Sequence, residues 1–267
     1  MKNHLSAIVA ALALGTPLTG LAAVDVHGIY LDTGSVFMNG SLFENSIANI
    51  GDELTGYGRI DSINGLASSS FCVTAGCELT YQFGGFTVVN NTTVPGAGFT
   101  VDFSNGWVKM YLGIGATTNF NPFTSASKAA DIAAATDGTL WLTLQGHTFQ
   151  DSNSGRSGTL LGNGYQASPS SVFGSGHALL DVATVDGSAG LANAYFDRNA
   201  VTDGLSGHTD MDINASFSNL GIPPHGQTPV AGSVSLAAPV PEPESFAMML
   251  VGLAVVGVAA KHRNRRA

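Results

Sequence analysis

The sequence predicts an all-β body, an antiparallel β-sandwich of jelly-roll-like type with one short helix, flanked by an N-terminal signal helix and a C-terminal transmembrane helix. Three observations carry that prediction. Apolar and polar residues alternate with a period of two over many short runs, separated by turn-forming clusters. Charged residues are only 11% of the 267, while Gly reaches 34, a composition that suits strands and turns rather than a long-helix protein built from Ala, Glu, Lys, Leu and Arg. Finally, two uncharged apolar segments stand at the extremities, outside the alternating part.

The clearest alternation is Phe99-Thr100-Val101-Asp102-Phe103-Ser104, and residues 78–83 and 211–217 repeat it. In the run 139–145, Leu140, Leu142 and Leu144 share one face, with Trp141 and Thr143 on the other. These are half-buried strand patterns. Weaker runs at 28–31, 107–114, 178–185 and 233–236 bring the total to eight or more strands, the number expected of a sandwich or barrel. Turn clusters at Asn90-Asn91, Ser152-Asn153-Ser154-Gly155 and Asp186-Gly187 separate them. Asn105-Gly106, between two alternating runs, is the strongest two-residue hairpin signal. The Ala-rich stretch 125–136 predicts the one helix. Residues 150–176, rich in Ser and Gly, read as long loops around a hairpin. With neither an internal repeat nor a shift in composition, residues 23–238 read as one exported domain.

Charge narrows the range of functions. Residues 23–240 hold 17 acidic residues against five basic ones (Arg59, Lys109, Lys128, Arg156 and Arg198), so the body carries a net charge of −12. That favours solubility and repels anionic lipid or polysaccharide unless divalent cations intervene. Only ten Lys and Arg exist in the whole chain, too few for the basic surface a nucleic-acid partner demands.

Both ends read as addresses. Residues 1–22 form a signal segment: Lys2 and His4, an apolar run from Leu5 to Leu14, the breakers Gly15 and Pro17, then small residues around Ala22 for cleavage. An uncleaved anchor is the weaker alternative, because the apolar run is short for a span of ~20 residues. At the other end, the linker 239–245 contains Val240-Pro241-Glu242-Pro243-Glu244, stiffened because each proline fixes its own φ and restricts its predecessor. Residues 246–260 are then uncharged, FAMMLVGLAVVGVAA, and the tail 261–267 carries Lys261, Arg263, Arg265 and Arg266. Fifteen residues of helix cover only ~22 Å, marginal for a ~30 Å hydrocarbon core, a gap that snorkelling by Lys261 would help to close. The basic tail stays cytoplasmic by the positive-inside rule, so this end reads as a stop-transfer anchor.

Pro-Glu-Pro, a short span and an Arg-rich terminus, in that order and position, resemble the PEP-CTERM sorting signal of Gram-negative bacteria. The resemblance rests on Val240 to Ser245, the span from Phe246 to Ala260, and Arg263, Arg265 and Arg266. It implies a partner, an exosortase: a membrane-embedded, transpeptidase-like enzyme that recognises Pro-Glu-Pro, removes the span and tail, and releases or attaches the protein at the surface. It further implies a transient stay in the inner membrane and an association with exopolysaccharide or biofilm matrix. The same segment is also known as an ice-binding-protein C-terminal domain, a label for the tail that implies no ice binding. An ordinary tail anchor after a Pro-rich linker is the plainer alternative.

Within the body, Cys72 and Cys77 enclose four residues. In an exported protein such a pair most simply forms a disulfide across a tight loop, worth roughly 2 kcal/mol on a chain-entropy argument. The spacing is not that of a Cys-x-x-Cys redox pair, and a metal site would need two further ligands with no His nearby.

A search for chemistry finds little. Asp32-Thr33-Gly34-Ser35 matches an aspartic-protease loop, but no second copy follows. Gly-x-Ser-x-Gly, His-Glu-x-x-His and the phosphate-binding Gly-rich motifs are absent. His27, His147, His177, His208 and His225 are scattered and read as turn or surface residues. The run from Asp210 to Asn214 starts like a calcium loop but lacks the required Gly and Glu, which leaves Asp212 and Asn214 on the solvent face of a strand. Glu44, Glu53 and Glu78, the three glutamates of the body, lie outside the apolar runs that would raise a carboxyl pKa. The expectation is therefore a non-enzymatic surface or matrix protein with no cofactor, metal or catalytic residue. The alternatives are a carbohydrate-binding module using Trp107, Trp141 or Tyr165 as stacking platforms and, third, a secreted hydrolase.

Overall fold

A computed structural model describes residues 23–32, 35–94, 98–168, 171–218 and 230–239. An N-terminal hairpin, β1 (Val24–Val26) and β2 (Ile29–Leu31), precedes the long strands β3 (Ser35–Glu44) and β4 (Glu53–Ile63). A two-residue strand β5 (Leu66–Ala67) and a single helical turn Ser68–Phe71 lead into β6 (Glu78–Val94) and β7 (Gly98–Gly113). The helix Lys128–Thr136 follows, then β8 (Thr139–His147), the small strands β9 (Phe149–Gln150) and β10 (Ser157–Gly158), β11 (Leu160–Ser168) and β12 (Ser171–Val182). After a turn of helix at Asn193–Phe196 come β13 (Val201–Thr202), β14 (His208–Thr209), β15 (Met211–Ser218) and β16 (Val230–Pro239).

The antiparallel all-β body is what the period-two runs predict. Its connectivity differs from a jelly roll, because the long strands pair in sequence order: β3 with β4, β4 with β6, β6 with β7, β11 with β12, β12 with β15, and β15 with β16. The ladder then closes on itself. β16 pairs along its whole length with β3, from Val230↔Glu44 to Pro239↔Ser35, while β7 pairs with β11. β8 and β11 share one position end to end: β7 pairs with β11 around Val101 and Phe103 and with β8 from Trp107 onward, and β12 switches from β11 to β8 after Ala178. Among the described residues, closure of this kind gives every long strand a partner on both sides over at least part of its length.

Alternation along each strand sets the two faces. Val36, Met38, Leu42, Ile60, Leu79, Met110, Leu142, Leu180, Met211 and Leu236 all belong to one buried cluster. The helix Lys128–Thr136 covers an outer face, packing Ala135 on Phe43, Tyr57 and Phe120. Ser127 caps this helix by accepting a bond from Ala130 N, and Asp131 in its first turn, where an anion suits the helix dipole, accepts a bond of 2.8 Å from Tyr57 Oη.

Two local expectations are corrected. Asn105-Gly106 is no hairpin, because β7 runs straight through it. Asn105 and Gly106 have φ of 61° and 102°, and Gly85 at the same level of β6 has φ of 73°. The pair supplies a left-handed kink inside a long strand, at the level where β7 changes partner from β11 to β8. Residues 150–176 are mostly strand rather than loop, and their glycines serve packing. A Cβ on Gly164 would lie 2.1 Å from the Phe99 ring, and one on Gly174 would lie 2.5 Å from Phe217. Large rings therefore occupy the space that small residues on the neighbouring strand leave open.

The strand directions define two ends. At one, the first residues of β3, β6, β8 and β15 meet the last residues of β4, β7, β12 and β16. The N-terminal hairpin belongs to this terminal end too: Ile29 bridges to Cys72, Val73 N donates to Gly28 O, and Trp141 Nε1 donates to Val26 O at 3.0 Å. The loop 45–52 lies at the opposite end. Among the described residues no helix is long and apolar enough to cross a membrane; the signal segment 1–22 and the span 246–260 lie outside them.

Candidate functional site

The C-terminal address meets the fold at β16. Leu236 and Ala238 are buried on this strand, and Pro239, the first residue of the linker, is its last rung. A proline lacks an N–H to extend a ladder, so it suits a strand end. Val240, Pro241, Glu242, Pro243 and Glu244 lie outside the described residues, as do Lys261, Arg263, Arg265 and Arg266 of the tail.

Around this exit the chain builds a strap from Asn64 to Cys77. Asn64 ties it to β3, its Oδ1 accepting from Phe37 N at 2.8 Å and its N donating to Phe37 O at 2.7 Å. Cys72 and Cys77 form a disulfide with Cα atoms 5.7 Å apart, beside the buried Phe71. The strap contains no charged residue. It exposes Leu66 (47%) and Val73 (37%), next to exposed Tyr30 and Phe37.

The aromatic candidates divide. Trp141 is fully buried, edge-on to Phe196, and therefore belongs to the core. Trp107 is half-buried with Lys109 Nζ 5.1 Å from its ring centroid, and that ammonium also pairs with Asp186 at 2.7 Å. Tyr165 is exposed and forms a cross-strand pair with exposed Phe173, ring centroids 5.4 Å apart. Asp32 accepts a bond from Asn64 Nδ2 at 3.5 Å, while Thr33, Gly34 and His225 lie outside the described residues. His27 and His208 are exposed; His177 pairs with Asp212 at 3.2 Å on the outer face, and Asn214 is exposed beside it. Asp210 is buried and accepts bonds from Val182 N, Arg198 N and Asn199 N.

Two features escaped sequence reasoning. The first is the state of the glutamates. Glu44 is buried at the end of β3, where alternation carries it to the same face as Leu42, and burial pushes its pKa up to about 8. Glu78 is also raised: burial outweighs the bonds it accepts from Asn119 N and Phe120 N. A strand's geometry, rather than a run of apolar neighbours in sequence, removes their water. The second is His147. Its Nδ1 lies 2.7 Å from Asp181 Oδ2 and its Nε2 3.1 Å from Asp203 Oδ2. Burial alone would lower its pKa, but the hydrogen bonds and charges of the two aspartates raise it. Both nitrogens face acceptors, so the geometry calls for the imidazolium. Asp203 is held low in turn, chiefly by His147 and despite burial, and it also accepts from Leu205 N and Gly207 N. Among the described residues, no group of three or more His, Cys, Asp or Glu is arranged to hold a metal ion.

Residues 239–266 match the family model of the PEP-CTERM protein-sorting motif. No curated protein and no solved structure matches the chain. A sorting motif of this kind implies export to the cell envelope, and here it begins at the rung where the closing strand of the β body ends. The chain carries the PEP-CTERM signal, and an exosortase is the processing partner that this signal implies.

Proposed function

We propose that this is a non-enzymatic protein of the cell surface or extracellular matrix, associated with exopolysaccharide or biofilm. In this reading the signal segment 1–22 starts export. The apolar stretch 246–260 and its basic tail then hold the precursor in the inner membrane until the exosortase acts at Pro-Glu-Pro. One observation carries the reading: residues 239–266 match the sorting motif, and the first of them, Pro239, is the last described rung of β16, paired with Ser35. Among the described residues the ring is already closed by Pro239, as a body that carries a disposable address requires. A structural role also accounts for the polar interior. His147, Asp203, Asp210 and Glu78 are engaged in holding loop backbone or one another. Replacing Pro241, Glu242 and Pro243 by alanine should leave full-length precursor in the inner-membrane fraction; normal arrival at the surface would overturn the reading.

A second reading, a carbohydrate-binding module on the same scaffold, is favoured by the exposed Tyr165–Phe173 pair, since two adjacent rings form a stacking surface for sugars. Affinity electrophoresis in a gel containing the host's exopolysaccharide decides it. Retardation of the natural protein that disappears in Tyr165→Ala supports binding, and equal mobility with and without polysaccharide removes it.

A further inference from the structure

We infer that the terminal end of the ring is itself a docking surface for the membrane-embedded enzyme that acts on the sorting motif, through Leu66 and Val73 of the strap and the adjoining Tyr30 and Phe37. The inference rests on the reading just given. Chain reach makes the encounter obligatory. Only Val240 separates the last rung, Pro239, from Pro241. At ~3.6 Å per residue at most, Pro241 lies within ~7 Å of the ring's end, Pro243 within ~15 Å and Phe246 within ~25 Å. A cleft that encloses the tripeptide must therefore abut the side chains around β16's end, with no room for a clear gap.

Those side chains suit a protein partner. The body carries 17 acidic residues, yet the strap 64–77 carries no charge. Leu66, Val73, Tyr30 and Phe37 are 47%, 37%, 41% and 50% exposed. They are tied into one neighbourhood, because Asn64 bonds Phe37, Val73 bonds Gly28, Leu66 pairs with Ile63, and Ile29 bridges Cys72. A charge-depleted apolar centre with polar surroundings is the usual make-up of a protein interface. Of the acids on the neighbouring segments, Asp25, Asp32 and Asp61 are engaged locally with Gly28 N, Asn64 and Arg59, and Glu78, next to Cys77, is buried and accepts from Asn119 N and Phe120 N.

The test is pulse–chase conversion of the full-length precursor in cells that make the exosortase. It compares Leu66→Glu and Val73→Glu with Ile50→Glu, whose exposed side chain lies at the opposite end. A cooperative urea transition and strand-type circular dichroism in each variant verify that the body has folded. The expected result is conversion about tenfold slower for the strap variants, the size of one interface anchor, and an unchanged rate for Ile50→Glu. Equal rates for all three overturn the inference. If the Pro-Glu-Pro to alanine precursor stays unprocessed while the strap variants convert normally, the inference alone fails. If that alanine precursor converts normally, the functional reading fails and takes the inference with it. Leu66→Lys separates the partner from lipid: conversion as slow as for Leu66→Glu supports the enzyme, whereas restored conversion assigns the patch to an anionic bilayer surface and overturns the choice of partner.

Discussion

At the terminal end, Trp141, Phe196, Phe71, Ile29 and Leu31 are buried almost completely, and the hairpin, the strap and a turn of helix fold over the ring. At the opposite end the rings of Phe99 and Phe217 are only half-buried, glycines lie beneath them, and Glu44 sits buried at the end of its strand. The difference shows that the deepest burial lies around the points at which the described chain enters and leaves the ring, so the largest losses of stability are expected there.

The largest expected effect tests this asymmetry directly. Trp141→Ala removes a fully buried ring, its edge-on contact with Phe196 and the bond from Nε1 to Val26 O, and should cost about 3–5 kcal/mol in urea unfolding. Phe217→Ala, half-buried at the far end, should cost about 1–2 kcal/mol. Equal losses at the two sites would break the comparison.

Glu44 sharpens it. Its folded-state pKa of about 8 lies above the ordinary 4.5, so the folded state binds a proton that the unfolded chain releases. Stability is fully present below pH 4.5 and falls by up to about 1.4 kcal/mol per pH unit until the folded pKa is passed. Glu44→Gln mimics the neutral acid. It should raise stability by up to about 4 kcal/mol at pH 8 and leave it unchanged at pH 4, read as thermal midpoints at the two pH values. A gain of the same size at both would show that Glu44 is not the source of the pH dependence.

These residues also show what the amino-acid order reveals. The alternation in residues 99–104 and 211–217 reads directly as strand, and the helix at 128–136 and the Cys72–Cys77 pair follow from local composition and spacing. The sorting end is legible too, because order along the chain is all that such a signal needs. Asn105-Gly106 misleads because left-handed residues serve a kink as well as a turn, and only the partner strand decides between them. Closure of the ring is hidden because the partners that make it, β3 and β16, lie at opposite ends of the body. For Glu44 a signal existed: it shares the parity of Val36, Met38 and Leu42 along β3. His147 offered none, since its partners are 34 and 56 residues away and no local pattern links them.

The smallest effect has the form of a clamp between the two ends, and its sign distinguishes it from other effects of pH. The His147 ring bridges β8, β12 and the turn at Asp203, and only the protonated ring donates to both carboxylates. Its pKa is raised on folding, so its contribution is complete below pH 6.5 and disappears as pH rises through the folded value. Asp203 works from the other side: its pKa is lowered, so its contribution holds above pH 3.8 and disappears as pH falls through the folded value. The clamp is therefore strongest in mildly acidic solution. His147→Gln keeps a donor for one aspartate only and should cost about 1 kcal/mol near pH 5.5, a modest figure because the cluster is partly solvated, and almost nothing at pH 9. Amide exchange of residues 201–209, measured at both pH values, localises the effect. If the variant lost the same stability at pH 9 as at pH 5.5, His147 would be acting through packing rather than charge.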